Sequence, residues 1–369
     1  MRILVLANIG MGLFKFRREL LEKLVENNEV FFSVPEGDFV DSIIDLGCKF
    51  VPCNALERRS TNPLKDIRLI REYFKIIRRI KPDVVLTYTI KPNIYGGLVC
   101  RIIKIPYIEN ITGLGTAIEN GGLLSKISIM LYKVGLKRAE CVFFQNADNQ
   151  KLFRIKHIVK SRTRLIPGSG VNLDIHIFEQ YPEILSPIRF LYVGRILKDK
   201  GINELLSAFR IIHNSYPDIL LDIVGFCDED YSETIKMAET EGTIVFHGLK
   251  KDVHSFYKQC HCVVLPSYHE GMANVLLEAS STGRPVITTR VSGCRETFVE
   301  GETGFGCEPR DVDSLVEAFR KFLELSYDKK RQMGIAARRK IENEFDRNIV
   351  INAYLEEIEY ATAKGETKQ

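Results

Sequence analysis

The chain has 369 residues, 45% of them apolar, and 52 Lys and Arg against 48 Asp and Glu, a net charge of +4. That length exceeds one ordinary hydrophobic core and suits two domains of soluble, globular composition. A charge so small does not point to nucleic acid, no nucleic-acid partner is expected, and no run approaches the 18 apolar residues of a membrane span.

From the start, short apolar runs alternate with helical patterns. Met1–Ala7 has the look of a signal start, but its apolar core is too short and a helix pattern follows at once, so it reads as a first buried strand. Strands are predicted at Arg2–Ala7, Glu29–Val34, Lys49–Cys53, Asp83–Tyr88, Tyr107–Ile111, Cys141–Gln145 and Thr163–Ile166. After an aperiodic segment, Asn172–Pro187, which reads as a linker, they resume at Ile188–Val193, Leu220–Val224, Thr243–Phe246, Cys262–Leu265, Pro285–Thr289 and Gly306–Glu308. Such alternation argues for parallel sheets covered on both faces, a doubly wound α/β fold occurring twice. The last stretch, around Ile341–Tyr360, is helical, and Lys364–Gln369 is expected to fray. Nine cysteines, an odd number without a signal peptide, argue for reduced thiols. Cys260-His261-Cys262 cannot space a zinc site and leads into a strand, so it is expected in the core.

Two motifs carry chemistry. Glu270 sits in the loop after the strand Cys262–Leu265, and Glu278 lies inside the helix that follows, on one face with Asn274. Gly271 lets a ligand approach the backbone, and the N–H groups of a helix start suit an anion. Loop carboxylate, anion-binding helix start and second carboxylate together fit a sugar nucleotide. The second motif, Gly194-Arg195-Ile196-Leu197-Lys198-Asp199-Lys200-Gly201, follows a strand and precedes a helix. Arg195 offers a planar fork to phosphate oxygens and Lys200 a point charge. Its spacing is not that of a P-loop.

Together these motifs resemble the retaining, nucleotide-sugar-dependent glycosyltransferases of family 4, which have the GT-B fold. Val291-Ser292-Gly293-Cys294-Arg295-Glu296 and Gly301-Glu302-Thr303-Gly304-Phe305 match that family's C-terminal half in order and spacing. Lys91-Pro92-Asn93, the run Asn110–Thr116 and Ile166–Asn172 resemble the subgroup that extends undecaprenyl-diphosphate-linked saccharides of bacterial surface glycans. The resemblance implies GT-B architecture: two Rossmann-like domains facing a central cleft, residues 1–172 on the acceptor side and 173–342 binding the nucleotide sugar, with the helix 343–369 returning to the first.

It also implies roles. Arg195 and Lys200 neutralise a departing diphosphate, and Glu270 lies near the charge developing on the sugar. Glu278 accepts the ribose hydroxyls. Gly194, Gly271, Met272, Ala273, Asn274 and Val275 line the donor site, where backbone N–H groups of Gly271–Asn274 add hydrogen bonds. Gly225 and the His247-Gly248-Leu249 turn border the base. Gly10 and Gly12, in the loop after the first strand, face the acceptor or form a bare turn. Many members carry a histidine in the loop after the fifth strand; this chain has none, and Asn110, Thr112 and Gly113 stand near that place.

No D-x-D metal motif stands out. Asp228-Glu229-Asp230 reads as a solvated loop, and no metal or cofactor is expected beyond a UDP-sugar co-substrate. Leu64–Lys81 and Leu123–Arg138 are basic and amphipathic, with Leu64, Ile67, Ile70, Phe74, Ile77 and Ile80 forming the apolar face of the first. A sheet-covering helix with a solvated basic face would show the same pattern. A polyprenyl-diphosphate saccharide acceptor would instead place these segments on an anionic membrane surface, the protein being cytoplasmic and peripheral on the inner face. Rival functions are a UDP-sugar 2-epimerase on the same fold and a non-catalytic nucleotide-binding module.

Overall fold

The computed structural model describes residues 1–57, 62–113, 122–183 and 187–366. The chain forms two compact units, Met1–Ser169 with Asn348–Gln369, and Gly170–Arg347. Each is a doubly wound, Rossmann-like α/β layer with an entirely parallel sheet.

The first unit holds β1 (Arg2–Leu6), β2 (Glu29–Ser33), β3 (Lys49–Phe50), β4 (Val84–Tyr88), β5 (Tyr107–Ile111), β6 (Cys141–Phe144) and β7 (Arg162–Leu165). Their order is β3-β2-β1-β4-β5-β6-β7, so the winding reverses between β1 and β4. Alternate side chains of one strand feed opposite faces. Ile3 and Val5 join a core with Leu13, Leu20, Leu86 and Phe143, while Leu4 and Leu6 join one with Leu69, Tyr73, Val85 and Phe144. Burial on both faces is why the central strands read as apolar runs. β3 ends earlier than predicted: the ladder stops at Phe50, although the N–H groups of Val51 and Cys53 still donate to Phe32 O at 2.9 Å and Val34 O at 3.0 Å.

The second unit holds β8 (Ile188–Val193), β9 (Ile219–Val224), β10 (Ile244–Gly248), β11 (Cys262–Leu265), β12 (Val286–Thr289) and β13 (Gly304–Cys307), ordered β10-β9-β8-β11-β12-β13. Here the winding reverses between β8 and β11. Cys260, His261 and Cys262 are buried, and His261 Nδ1 accepts the Arg189 N–H at 3.0 Å.

The boundaries fall at Ser169/Gly170 and Arg347/Asn348 rather than at 172/173 and 342/343. Val171 is the reason: its N–H donates to Phe345 O at 2.8 Å and its carbonyl accepts from Arg347 N at 3.1 Å, tying both ends into the second unit. The predicted linker is largely part of that unit as well. Arg284, wholly buried, donates to Glu179 O and Gln180 O, and the Tyr181 hydroxyl donates to His261 O. The final helix, Arg347–Glu366, belongs to the first unit: Val350, Tyr354, Ile358 and Ala361 complete the core containing Ile3 and Val5. It runs through residues expected to fray, and 367–369 lie outside the described residues.

The basic helix Pro63–Ile80 opens on an Asn62 cap, with Pro63 in its first turn. Its buried face is Leu69, Tyr73, Ile76, Ile77 and Ile80. Leu64 and Ile67, expected on that face, are 69% and 46% exposed. Both lie near the start of the helix, before its first buried residue, Leu69. Among the described residues no helix is long and apolar enough to cross a membrane.

Candidate active site

In an open α/β sheet the loops after the two strands flanking the reversal of winding form a crevice at the strands' carboxyl ends. In the second unit these loops are Gly194–Gly201, after β8, and Pro266–Ala273, after β11, which are the two segments the motifs single out. They are bonded to each other. Tyr268 N donates to Asp199 O at 2.9 Å, and the Ser267 hydroxyl reaches the same carbonyl at 3.3 Å. Gly201 has φ +72°, and a methyl group there would meet Pro266 O at 2.0 Å, so only glycine allows this approach. On the far side Gly293 lies flat against the Glu270 backbone. The Gly293 N–H donates to Glu296 at 2.7 Å, which makes the Val291–Glu296 motif a buttress for the Glu270 loop.

This packing brings Lys200 and Glu270 together as an ion pair, 70 residues apart in sequence, with side chains 19% and 14% exposed. So little solvent strengthens their attraction relative to a surface pair and makes loss of either partner costly. Arg195 is held by Asp228 at 2.8 Å, and its carbonyl accepts the wholly buried Tyr192 hydroxyl at 2.7 Å. The solvated reading of Asp228-Glu229-Asp230 holds for the exposed Glu229 and Asp230 but is corrected for Asp228. Asp228 orients Arg195, and Glu229 accepts the Lys198 N–H at 2.9 Å, because β8 and β9 are neighbours and their following loops meet. Arg195 and Lys200 both stand on this loop, but each already has a carboxylate partner within the chain. Burial pushes the nearby Cys294 thiol up to about 12, with Glu270 adding to the effect.

Glu278 lies in the helix Asn274–Ser281, and the Tyr257 hydroxyl donates to its Oε2 at 2.9 Å. Asn274 is the first residue of that helix, and its Oδ1 is buried without a hydrogen-bond partner among the described residues. Two of the expected backbone donors are spent internally: Ala273 N–H reaches Gly293 O at 2.8 Å and Asn274 N–H reaches Met272 O at 3.0 Å. The Met272 side chain is buried with Val171, Leu277, Ile341 and Phe345, Ala273 is in the main core and Val275 packs against it. These three side chains hold the helix in place rather than facing a crevice. The backbones of Gly194 and Gly225 run so close that a methyl on Gly225 would fall 1.8 Å from Gly194 O, so chain packing alone requires glycine there. His247 is not in a turn. It lies within β10, with Nε2 2.7 Å from Oδ1 of the buried Asp222, whose carboxylate also takes two hydrogen bonds from Arg189.

In the first unit, Gly10 and Gly12 are not in a loop: they open the helix Gly10–Val25, and Gly10 packs against Asp38 O. Asn110 is buried within β5. Its amide donates to the Tyr354 hydroxyl at 2.6 Å, and Gln145 approaches its Oδ1 at 3.4 Å, so it anchors the final helix. Thr112 and Gly113 follow β5, half-buried. Leu114, Gly115 and Thr116 lie outside the described residues. Lys91 pairs with Asp66 at 2.9 Å. No group of three His, Cys, Asp or Glu side chains suited to a metal ion occurs among the described residues.

Comparison with known proteins agrees with this geometry. Residues 175–340 match the family model described as glycosyl transferases group 1, and residues 2–146 match glycosyl transferase 4-like. The chain belongs to the family 4 glycosyltransferases. It is 26% identical to the N,N'-diacetylbacillosaminyl-diphospho-undecaprenol alpha-1,3-N-acetylgalactosaminyltransferase of Campylobacter jejuni, covering 96% of this chain and 97% of that one. Among solved structures it superposes on the sucrose-phosphate synthase of Thermosynechococcus elongatus with TM-score 0.79 at 19% identity, covering 99% and 100% of the two chains. Anabaena HepE in complex with UDP and glucose gives TM-score 0.79 at 17% identity, covering 97% and 98%. The fold is GT-B, and the protein is a hexosyltransferase.

Proposed function

We propose that this glycosyltransferase moves a hexose or N-acetylhexosamine from a UDP-sugar to a polyprenyl-diphosphate-linked saccharide, with retention of configuration, in bacterial surface polysaccharide or glycan biosynthesis. The observation that carries the donor half is the Lys200–Glu270 pair bridging the two loops at the reversal of the second sheet, with Arg195 on the first loop and Glu278 in the helix after the second. The arriving diphosphate would take up the Arg195 and Lys200 cations and stabilise itself as leaving group. Release of Glu270 from Lys200 would then leave a carboxylate beside the sugar as positive charge develops on the ring. Stabilisation of this kind is worth roughly 3–4 kcal/mol per key donor. The acceptor half rests on the Campylobacter relative, named for an undecaprenol-linked substrate, and the UDP donor on the HepE complex.

An acceptor of that kind is met at a bilayer. The helices Pro63–Ile80 and Gly122–Gly135 share one core cluster and so cover the same face of the first sheet. Outward they carry exposed Leu64, Ile67, Ile127 and Met130 among exposed Arg68, Arg71, Lys75, Lys126 and Lys133. Apolar groups set in a basic field suit an anionic membrane surface, where the enzyme would be peripheral on the cytoplasmic side. No metal is required in this reading, since Arg195 and Lys200 supply the charge.

The test is to incubate the enzyme with a panel of UDP-sugars and a radiolabelled polyprenyl-diphosphate saccharide, with and without EDTA. Expected products are UDP and a lipid extended by one sugar whose anomeric configuration matches the donor's, in equal yield with chelator. An isomerised donor, or UDP binding without turnover on any acceptor, would refute the transfer. Activity lost in EDTA and restored by Mg²⁺ or Mn²⁺ would refute the metal-free reading alone.

A further inference from the structure

Tyr257 has no place in the motifs, yet it holds Glu278. It lies on the short helix His254–Gln259 and its side chain is wholly buried within the main core of the second unit. Its hydroxyl donates to Glu278 Oε2 at 2.9 Å. Burial, reinforced by that carboxylate, holds the phenol well above its ordinary pKa, so its proton remains available for donation. The ring cannot follow a moving partner. His176 stands edge-on to it at 6.4 Å, and the Tyr257 carbonyl accepts from Arg284 Nε at 2.7 Å. Arg284 is itself wholly buried and also bonds the carbonyls of Lys258, Glu179 and Gln180, which fixes the end of the helix that presents Tyr257.

We propose that Tyr257 is a positioning residue for donor recognition, its fixed hydroxyl setting the plane of the Glu278 carboxylate so that this group can accept both hydroxyls of the donor's ribose. The inference rests on the assignment of Glu278 to the ribose. A carboxylate has about four acceptor sites, and a single phenol donor takes one of them. A free glutamate side chain has three rotatable bonds to order on binding, and a rigid partner removes part of that cost beforehand.

The experiment measures UDP and 2',3'-dideoxy-UDP binding by calorimetry for the wild type, Tyr257→Phe, Glu278→Gln and the double variant, with donor KM and kcat alongside. Tyr257→Phe is expected to weaken UDP several-fold and raise donor KM, with kcat nearly unchanged. Its affinity for 2',3'-dideoxy-UDP should stay that of the wild type, and the double variant should bind UDP no more weakly than Glu278→Gln alone. Equal losses for both nucleotides would mark Tyr257 as merely structural and overturn the proposal. Wild-type UDP affinity in Tyr257→Phe, with a clear loss in Glu278→Gln, would overturn it while leaving the ribose assignment intact. Wild-type affinity in Glu278→Gln would remove the ribose assignment and the proposal with it.

Discussion

In the second unit the polar groups at the carboxyl ends of the strands hold one another. Lys200 is paired with Glu270, Arg195 with Asp228, and Tyr257 with Glu278. In the first unit the equivalent positions are differently filled. Asn8 Oδ1, Arg17 Nε, Ser33 Oγ and Tyr88 Oη are buried there without hydrogen-bond partners among the described residues. Arg17, 4% exposed, lies over the Tyr88 and Tyr354 rings at 5.1 and 5.7 Å, and no carboxylate pairs with it among the described residues. The pairs Lys200–Glu270 and Arg195–Asp228 thus stand preformed in the second unit, whereas Arg17 in the first is faced by aromatic rings. Charge pairs constrain residue type on both loops at a fixed spacing, which is why the two motifs that carry the donor chemistry lie in the second unit.

The sharpest break of this comparison is Glu270→Ala. If the Lys200–Glu270 pair is the working centre, kcat should fall on the order of 10²-fold or more, while UDP affinity changes far less. Turnover within a few-fold of wild type would reduce the pair to a loop clasp. It would also leave the second unit no more catalytic than the first.

A smaller effect should separate the units by surface. Arg71, Lys75, Arg78 and Arg79 are all exposed on the helix Pro63–Ile80. Each such cation near an anionic leaflet contributes about 1 kcal/mol. Four such contributions set an upper bound of about 4 kcal/mol, so changing the four to Gln should lower the affinity for anionic vesicles, measured by co-sedimentation, at least tenfold in low salt. High salt should narrow the difference, because exposed charges are screened over roughly 8–10 Å. Equal sedimentation of variant and wild type at both salts would make this a sheet-covering helix and no more.

The central strands were legible because parallel strands buried on both faces leave unbroken apolar runs between turn residues, whereas the edge strands β3 and β7 are partly exposed. The two loops of the site were legible for the reason given above. What escaped was contact between groups far apart in sequence. Asp228 looked like a solvated acid because nothing in a D-E-D triplet reveals that the loops after β8 and β9 touch. Tyr257 left no signal at all, since a tyrosine on a six-residue helix could as well be plain core. Asn110 falls inside the predicted strand Tyr107–Ile111, but nothing local shows that its amide serves Tyr354, 244 residues on. Leu64 and Ile67 fit the helical period of a buried face, but period alone cannot tell that the start of the helix stays exposed.

Glu109 offers the smallest and most local test. It sits in the middle of β5, fully buried, with neither carboxylate oxygen hydrogen-bonded among the described residues. Its neighbour Gly97 leaves room for it, since a methyl there would meet Oε1 at 2.2 Å. Burial raises its pKa well above the ordinary 4.5, so the folded chain keeps it protonated. Below that ordinary value folded and unfolded chains are both protonated and titration costs nothing. As pH rises above it, the unfolded chain releases the proton while the folded one retains it, and stability falls until the pH passes the folded pKa. Glu109→Gln removes this titration while keeping the shape. Relative to wild type it should therefore gain stability as the pH rises from 5 to 8. Urea unfolding of both proteins at the two pH values measures this directly. Parallel stability curves would mean that Glu109 finds a partner or solvent in the folded protein, and that the polar groups buried in the first unit carry less strain than their isolation implies.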